Sequence, residues 1–394
     1  MYNSTLIERF KETRAHSLEL CENIHSEDMC LQVAPFVSPT KWHLAHTTWF
    51  FEELVLKQFK KNYQRYNEDF PFYFNSYYKS AGEHCPQSQR GEISTPTPEE
   101  IYCYRDHVDC EVLLFLKDQN LSQSAEEQSK LYKILEIGIN HEQQHQELIL
   151  MDIKYTLFSN KNFISYGFKN EPAKLSKKEN EYKEEVFKVG HSKSSFHFDN
   201  EFPAHKTYLQ SFSISEDYVT NREYLNFIND NGYKNHKLWL SLGYDWVNEN
   251  KITSPLYWLN DKDQWHEFTL NGLKPLDLDK PVSHISYFEA DAFAKWSGAR
   301  LPTEFEAEKF LSSSNQPQGY LWNWTQSHYS PYPGFREFNG MLSEYNGKFM
   351  CNQFVLKGGC FATPKGHYRH TYRNFYKPSD RWMFSGIRLA KDLK

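Results

Sequence analysis

The stretch from Leu131 to Phe158 spaces its apolar residues as a helix does, and His141-Glu142-Gln143-Gln144-His145 stands inside it. Two histidines four apart lie one turn above each other on one face of a helix. That arrangement lets two imidazoles reach a single metal ion. One run of sequence therefore implies a long helix, the face it turns inward and a metal chemistry.

The residues of the motif leave more than one reading open. His-Glu-x-x-His is the pattern of zinc metalloproteases, with Glu142 as the general base. The stretch that follows, Gln146-Glu147-Leu148-Ile149-Leu150-Met151, lacks the glycine and third histidine of one such class, and no second motif offers a downstream glutamate ligand. A hydrogen-bonded histidine face without metal is the plainer alternative. Against it stands Trp42-His43-Leu44-Ala45-His46, two more histidines in an apolar stretch where neutral imidazoles need partners. His43 and His46 are three apart, so both need not be ligands. Three imidazoles without a carboxylate would leave coordination positions open, whereas a closed structural zinc site fills four. Open positions on imidazole ligands suit a redox metal that holds substrate and dioxygen together.

With 394 residues, two domains are expected. Four helices are read in the first: Tyr2 to Glu22; one opened by Ser38 as N-cap with Pro39 at its first position; one begun by the capping-box pair Thr97 and Glu100; and Ala125 to Phe158. Four such helices make a bundle with a site in its core. Phe70 to Ser94 is a long connection for a bundle, which favours a functional role for it. From Ser159 the composition shifts to Lys, Asn and Glu, and after Phe187 short β-like runs such as Tyr208 to Ile214 alternate with helical patches at Asn221 to Asp230 and Phe288 to Ser297. The expected division is a helical bundle over 1–160, a connection over 161–185 and an α+β domain over 186–394.

The formal net charge of -6 argues against nucleic acid as a partner. No apolar run reaches membrane-spanning length, and Met1 to Thr5 shows no basic region leading into an apolar stretch. Seven cysteines, an odd number without a Cys-x-x-Cys pair, read as reduced thiols of a cytoplasmic protein.

Ser38-Pro39-Thr40-Lys41-Trp42-His43-Leu44-Ala45-His46 and His141-Glu142-Gln143-Gln144-His145-Gln146-Glu147 resemble the two metal-binding segments of the iron(II)-dependent sulfoxide synthases of ergothioneine biosynthesis. Those enzymes join a DinB-like four-helix bundle to a formylglycine-generating-enzyme-type domain with a C-type-lectin-like fold. The second half is similar too, at Phe198-Asp199-Asn200-Glu201, Val219 to Tyr224, Gly298 to Glu304, Trp322-Asn323-Trp324-Thr325 and Gly386 to Ala390. The resemblance implies Fe(2+) held by His46, His141 and His145. His43 and Glu142 then become neighbours of the ligands, and Glu142 loses its general-base role. Gln144 is implied as a contact to an imidazole-bearing substrate.

By the same resemblance the chain couples a thiol to the imidazole of hercynine with dioxygen, giving a thioether sulfoxide. Tyr77 and Tyr78, in Asn75-Ser76-Tyr77-Tyr78-Lys79, match a tyrosine pair of the subgroup that uses free cysteine, and a weakly acidic phenol can supply a proton beside the metal. Cysteine is thus the implied thiol, with γ-glutamylcysteine as the other candidate. Arg90 matches an arginine suited to a carboxylate. Ser94-Thr95-Pro96-Thr97 lacks the arginine the family often carries there, which leaves the thiol open. Asn374, Phe375 and Tyr376 resemble a segment that lines the pocket for a trimethylammonium group, where aromatic faces suit a cation without N–H donors. Two other readings remain: a sister enzyme acting on histidine, as in ovothiol synthesis, or on a selenium donor; and a lectin-like binding module without catalysis.

Overall fold

Residues 2–117, 124–168, 179–192, 195–313 and 319–393 are described by a computed structural model. The chain divides into two units, Met1–Gly167 and Phe168–Lys394. Part of the expected connection, residues 169–178, lies outside the described residues, and strand Glu179–Tyr182 already belongs to the second unit.

Four long helical segments build the first unit: Tyr2–Glu19, Thr40–Phe51, Pro98–Lys117 and Ala125–Ser159. The second is continued by a π-helical turn, Glu52–Leu56. All twelve residues of Thr40–Phe51 are buried, as expected of a helix apolar on every side except where Lys41 and its histidines and threonines find partners. It packs against both Pro98–Lys117 and Ala125–Ser159, and Tyr2–Glu19 also lies on Ala125–Ser159. Gly138 permits a close approach of its helix to Phe51, since a Cβ there would stand 2.6 Å from the Phe51 ring. This is the four-helix, DinB-like bundle expected.

Local rules set most of the helix starts. Ser124 and Glu127 form a reciprocal capping box at the head of the longest helix, and Thr97 and Glu100 exchange the same pair of bonds. Ser38 departs from expectation. The helix begins at Thr40 without a side-chain cap, and the Ser38 hydroxyl instead accepts from Arg90 Nη1 at 2.8 Å. A buried guanidinium needs that acceptor more than a helix end with water or backbone alternatives does. The first helix also stops at Glu19, three residues short of the expected Glu22.

The Phe70 to Ser94 connection is ordered by a helical turn at Phe70–Phe74 and 3-10 turns at Lys79–Ala81 and Gln87–Glu92. Asn75 fastens it: its Oδ1 accepts from the Tyr78 N–H at 3.1 Å and its Nδ2 donates to the Tyr78 carbonyl at 2.9 Å.

The second unit is α+β. Strands Glu179–Tyr182, Phe212–Ser215 and Ala390–Asp392 form an antiparallel sheet with Phe212–Ser215 in the middle. Strands Trp322–His328, Phe354–Lys357, Asn374–Tyr376 and Ser385–Gly386 form a second, with Ser385–Gly386 parallel to Trp322–His328. The run from Tyr208 to Ile214 is two strands, not one: His205–Leu209 pairs with Glu185–Val189, while Phe212–Ser215 belongs to the first sheet. Helices Asn221–Asn229 and Tyr287–Trp296 match the expected patches, each opened by a capping box. Ser241–Glu249 and Glu304–Ser313 are further helices. Leu209, Phe212, Ile214, Phe310 and Leu311 pack into one core under the sheets.

Buried ion pairs stiffen the loops of this unit. Burial alone would push the Glu201 carboxyl up, but Arg369 at 2.7 Å and the Thr371 hydroxyl at 2.5 Å bring it down to about 2. A carboxyl depressed in the folded state contributes stability that is whole above its ordinary value of 4.5 and is lost as pH falls towards 2. Glu201→Gln should therefore cost about 3 kcal/mol at pH 7, because Arg369 loses its buried partner. Urea unfolding would read the loss, and the difference between the two proteins should shrink as pH falls below 4.5. An equal midpoint at pH 7 would show the pair to be dispensable.

None of the seven cysteines, all among the described residues, forms a disulfide. No helix among the described residues is long and apolar enough to cross a membrane.

Candidate metal centre

His141 and His145 lie one turn apart on the inner face of the longest helix and meet His46 from the helix Thr40–Phe51. One ring nitrogen from each of the three lies within 4.8 Å of the others, and all three side chains are buried. His46 Nε2 and His141 Nε2 are 3.1 Å apart. His46 Nδ1 is 2.6 Å from the Phe74 carbonyl oxygen. A carbonyl only accepts, so Nδ1 carries the hydrogen and Nε2 keeps its lone pair for a ligand. Trp42 stacks on His46 at 4.6 Å and 10°, and Trp49 stacks on it at 5.6 Å and 16°. The ring is thus clamped in plane as well as in tautomer.

Burial keeps these imidazoles neutral, the form that binds a metal. Desolvation holds His141 down to about 3, with Glu142 pulling weakly the other way. It also pushes His46 and His145 well below the ordinary histidine range, and the neighbouring His141 lowers both further. The donor set therefore fits a divalent transition metal. It is made of three neutral imidazoles, and no aspartate or glutamate joins the cluster among the described residues.

Glu142 points elsewhere. Its carboxylate accepts from Arg14 Nη1 at 2.9 Å and Ser17 Oγ at 2.6 Å, and it pairs with Arg105. Burial would raise it, yet Arg105 and Arg14 outweigh that and bring it down to about 2. A carboxylate engaged by two guanidinium groups and a hydroxyl is a poor general base, which argues against the protease reading of its motif. Its position supports the helix that carries the histidines.

His43 Nδ1 is 2.9 Å from His145 Nδ1, and its Nε2 is 3.0 Å from Asp152 Oδ2. Asp152 was not anticipated as part of the site. Its signal was present, for it stands seven residues after His145 and so on the same helix face. Trp42 and Trp49, read only as apolar positions, bracket His46 four before and three after.

Residues 171–321 and 315–393, more than half of the chain, match the family of the sulfatase-modifying factor enzyme 1-like domain. The chain belongs to this family. Residues 9–149 match the DinB superfamily. The chain is 30% identical over 241 residues to hercynine oxygenase of Mycobacterium tuberculosis, covering 50% of this chain and 56% of the relative. It is 32% identical over 246 residues to hercynine oxygenase of Mycolicibacterium smegmatis, with the same shares. It is 28% identical over 232 residues to ergothioneine biosynthesis protein 1 of Schizosaccharomyces pombe, covering 50% of this chain and 28% of the relative. The chain spans about half the length of the first two relatives.

In the DinB-like unit, Tyr78 is fully buried, and its ring lies 5.7 Å from Trp49 and stacks on Tyr77 at 4.7 Å. Trp49 in turn stacks on His46, so the tyrosine pair joins the aromatic shell of the centre. Tyr77 and Gln144 are half-buried. Arg90 is buried with its guanidinium 3.3 Å over the Trp42 ring. Desolvation lowers it to about 9, with the charge of Asp152 opposing, and its Nε has no hydrogen-bond partner among the described residues. In the sulfatase-modifying-factor-type unit, Asn374, Phe375 and Tyr376 form one short strand, each half-buried. Phe375 stacks on Tyr329 at 4.1 Å and Tyr376 meets Trp382 edge-on at 5.4 Å.

Proposed function

We propose that this chain is an iron(II)-dependent sulfoxide synthase of ergothioneine biosynthesis, joining a thiol to the imidazole of hercynine. The observation that carries the reading is the centre of three neutral, carboxylate-free imidazoles at His46, His141 and His145. The relatives named hercynine oxygenase support the substrate.

Bound there, Fe(2+) would supply the site where thiolate, imidazole and dioxygen meet. The overall change balances as thiol plus imidazole C–H plus dioxygen giving C–S(=O) plus water. One C–S and one S–O bond form, and no external reductant is needed. Gln144, on the turn between the two ligands of its helix, is assigned to the imidazole substrate. Arg90, a buried cation with an unsatisfied Nε, is assigned to the carboxylate of the thiol. Tyr78 is assigned the proton delivered during dioxygen reduction, with Tyr77 stacked on it. Asn374, Phe375 and Tyr376 are assigned to the trimethylammonium end, where ring faces attract a cation. Cysteine is the proposed thiol.

Protein loaded anaerobically with ferrous iron would be mixed with hercynine or histidine and with cysteine or γ-glutamylcysteine, then exposed to oxygen. Mass spectrometry should show the hercynine–cysteine sulfoxide as the leading product. A histidine adduct in its place would assign the sister chemistry. A lack of iron-dependent oxygen uptake with every pair would overturn the enzymatic reading in favour of a binding module.

A further inference from the structure

Behind His145 runs a buried line of hydrogen bonds with a fixed direction. Asp152 Oδ2 accepts the Ser38 backbone N–H at 2.7 Å, which marks this oxygen as an acceptor. The same oxygen is 3.0 Å from His43 Nε2, so that nitrogen is the donor. A neutral imidazole with its hydrogen on Nε2 has a lone pair on Nδ1. His43 Nδ1 is 2.9 Å from His145 Nδ1, so His145 must donate from Nδ1. Its own lone pair is then left on Nε2. Asp152, His43 and His145 are at most 9% exposed, so water does not compete for these bonds.

We infer that Asp152, acting through His43, sets the tautomer of His145 and thereby aims its Nε2 at the metal. Asp152 and His43 are positioning residues, and the assignment rests on the reading of His46, His141 and His145 as ligands. The geometry gives His46 the same service by a shorter route, through the Phe74 carbonyl. Two ligands are thus set by acceptors of different kinds, one a backbone carbonyl and one a carboxylate relayed across a second imidazole. The carboxylate also binds the turn that carries Ser38, whose hydroxyl holds Arg90. The relay therefore ties the ligand to the entry of the helix that brings His46.

The substitution that separates this role from packing is His43→Gln. An amide oxygen can accept from His145 Nδ1–H while the amide N–H donates to Asp152, so the direction of the line survives. His43→Phe keeps a ring but neither bond. The first readout is the His145 tautomer in metal-free protein labelled with nitrogen-15 histidine, followed by long-range proton–nitrogen NMR and assigned by comparison with His145→Ala. His145 should carry its hydrogen on Nδ1 in the wild type and in His43→Gln, and should lose that preference in His43→Phe. The second is anaerobic titration with ferrous iron: His43→Phe and Asp152→Leu should bind about 10- to 100-fold more weakly, and His43→Gln within about threefold of wild type. A wild-type His145 with its hydrogen on Nε2 would overturn the inference, as would equal iron affinity in the Phe and Gln variants. The tautomer is read without metal and without substrate. A wild type that takes no iron would therefore end the proposed function while leaving the NMR result to decide the relay. If His43→Phe does not fold, the wild-type tautomer still decides it.

Discussion

His141→Ala should abolish metal uptake and leave the helical unit folded. His141 supplies one of three imidazoles, and its Nε2 stands 3.1 Å from that of His46. Removing a ligand outright must exceed the 10- to 100-fold that loss of a supporting hydrogen bond typically costs a metal site. The remaining pair, His46 and His145, comes from two different helices and has no carboxylate to complete it among the described residues. The cost to folding is separate. The ring is buried and lies 4.6 Å from Phe50, so truncation opens a cavity worth about 3–5 kcal/mol by analogy with Phe→Ala. Glu142 remains anchored to Arg14, Arg105 and Ser17, which keeps the helix face locked one residue away. Helical circular dichroism should persist, with a lower melting temperature. Metal analysis after anaerobic loading checks the first part, and one ion per chain with full oxygen uptake would remove His141 from the ligand set.

The site was legible where its geometry is local. His141 and His145 are four apart on one helix, and a period of 3.6 alone brings them together. The Thr97 and Ser124 helix starts are local too, since each cap binds a group three residues away. His46 required the pairing of two helices far apart in sequence, and spacing by itself left His43 as an equal candidate. The two differ in partners no local pattern shows: His46 Nδ1 meets the Phe74 carbonyl, while His43 has one nitrogen on Asp152 and the other on Nδ1 of His145. Glu142 is the opposite case. Its motif suggests a base, and only Arg14 and Arg105 from two other helices reveal a fixed ion pair. Ser38 shows a local preference overridden by a buried tertiary demand, that of Arg90. In the second unit, the run Tyr208 to Ile214 joins the end of one strand to the start of another in a different sheet, and only the two residues between Leu209 and Phe212 mark the break.

Tyr78→Phe should divert turnover from coupling to oxidation of the thiol alone. Asn75 holds the Tyr78 backbone from both sides, so the ring is placed by the loop and not by chance packing. The ring is fully buried, 5.7 Å from Trp49, and Trp49 is the stacking partner of His46. Phenylalanine keeps that packing and removes only the hydroxyl, so the fold and the metal centre should be retained. On the proposed assignment, what is lost is a positioned proton donor, a group that typically contributes about 10²–10⁴-fold to the step it serves. The ratio of sulfoxide to oxidised thiol should accordingly fall by about 100-fold, while oxygen uptake continues. Tyr77 is half-buried and stacks on Tyr78 at 4.7 Å, so Tyr77→Phe should change the ratio far less. Product analysis by mass spectrometry, with iron content measured on the same samples, distinguishes loss of the proton from loss of the metal. The same product ratio in both variants and in the wild type would take the tyrosines out of the chemistry and return them to packing.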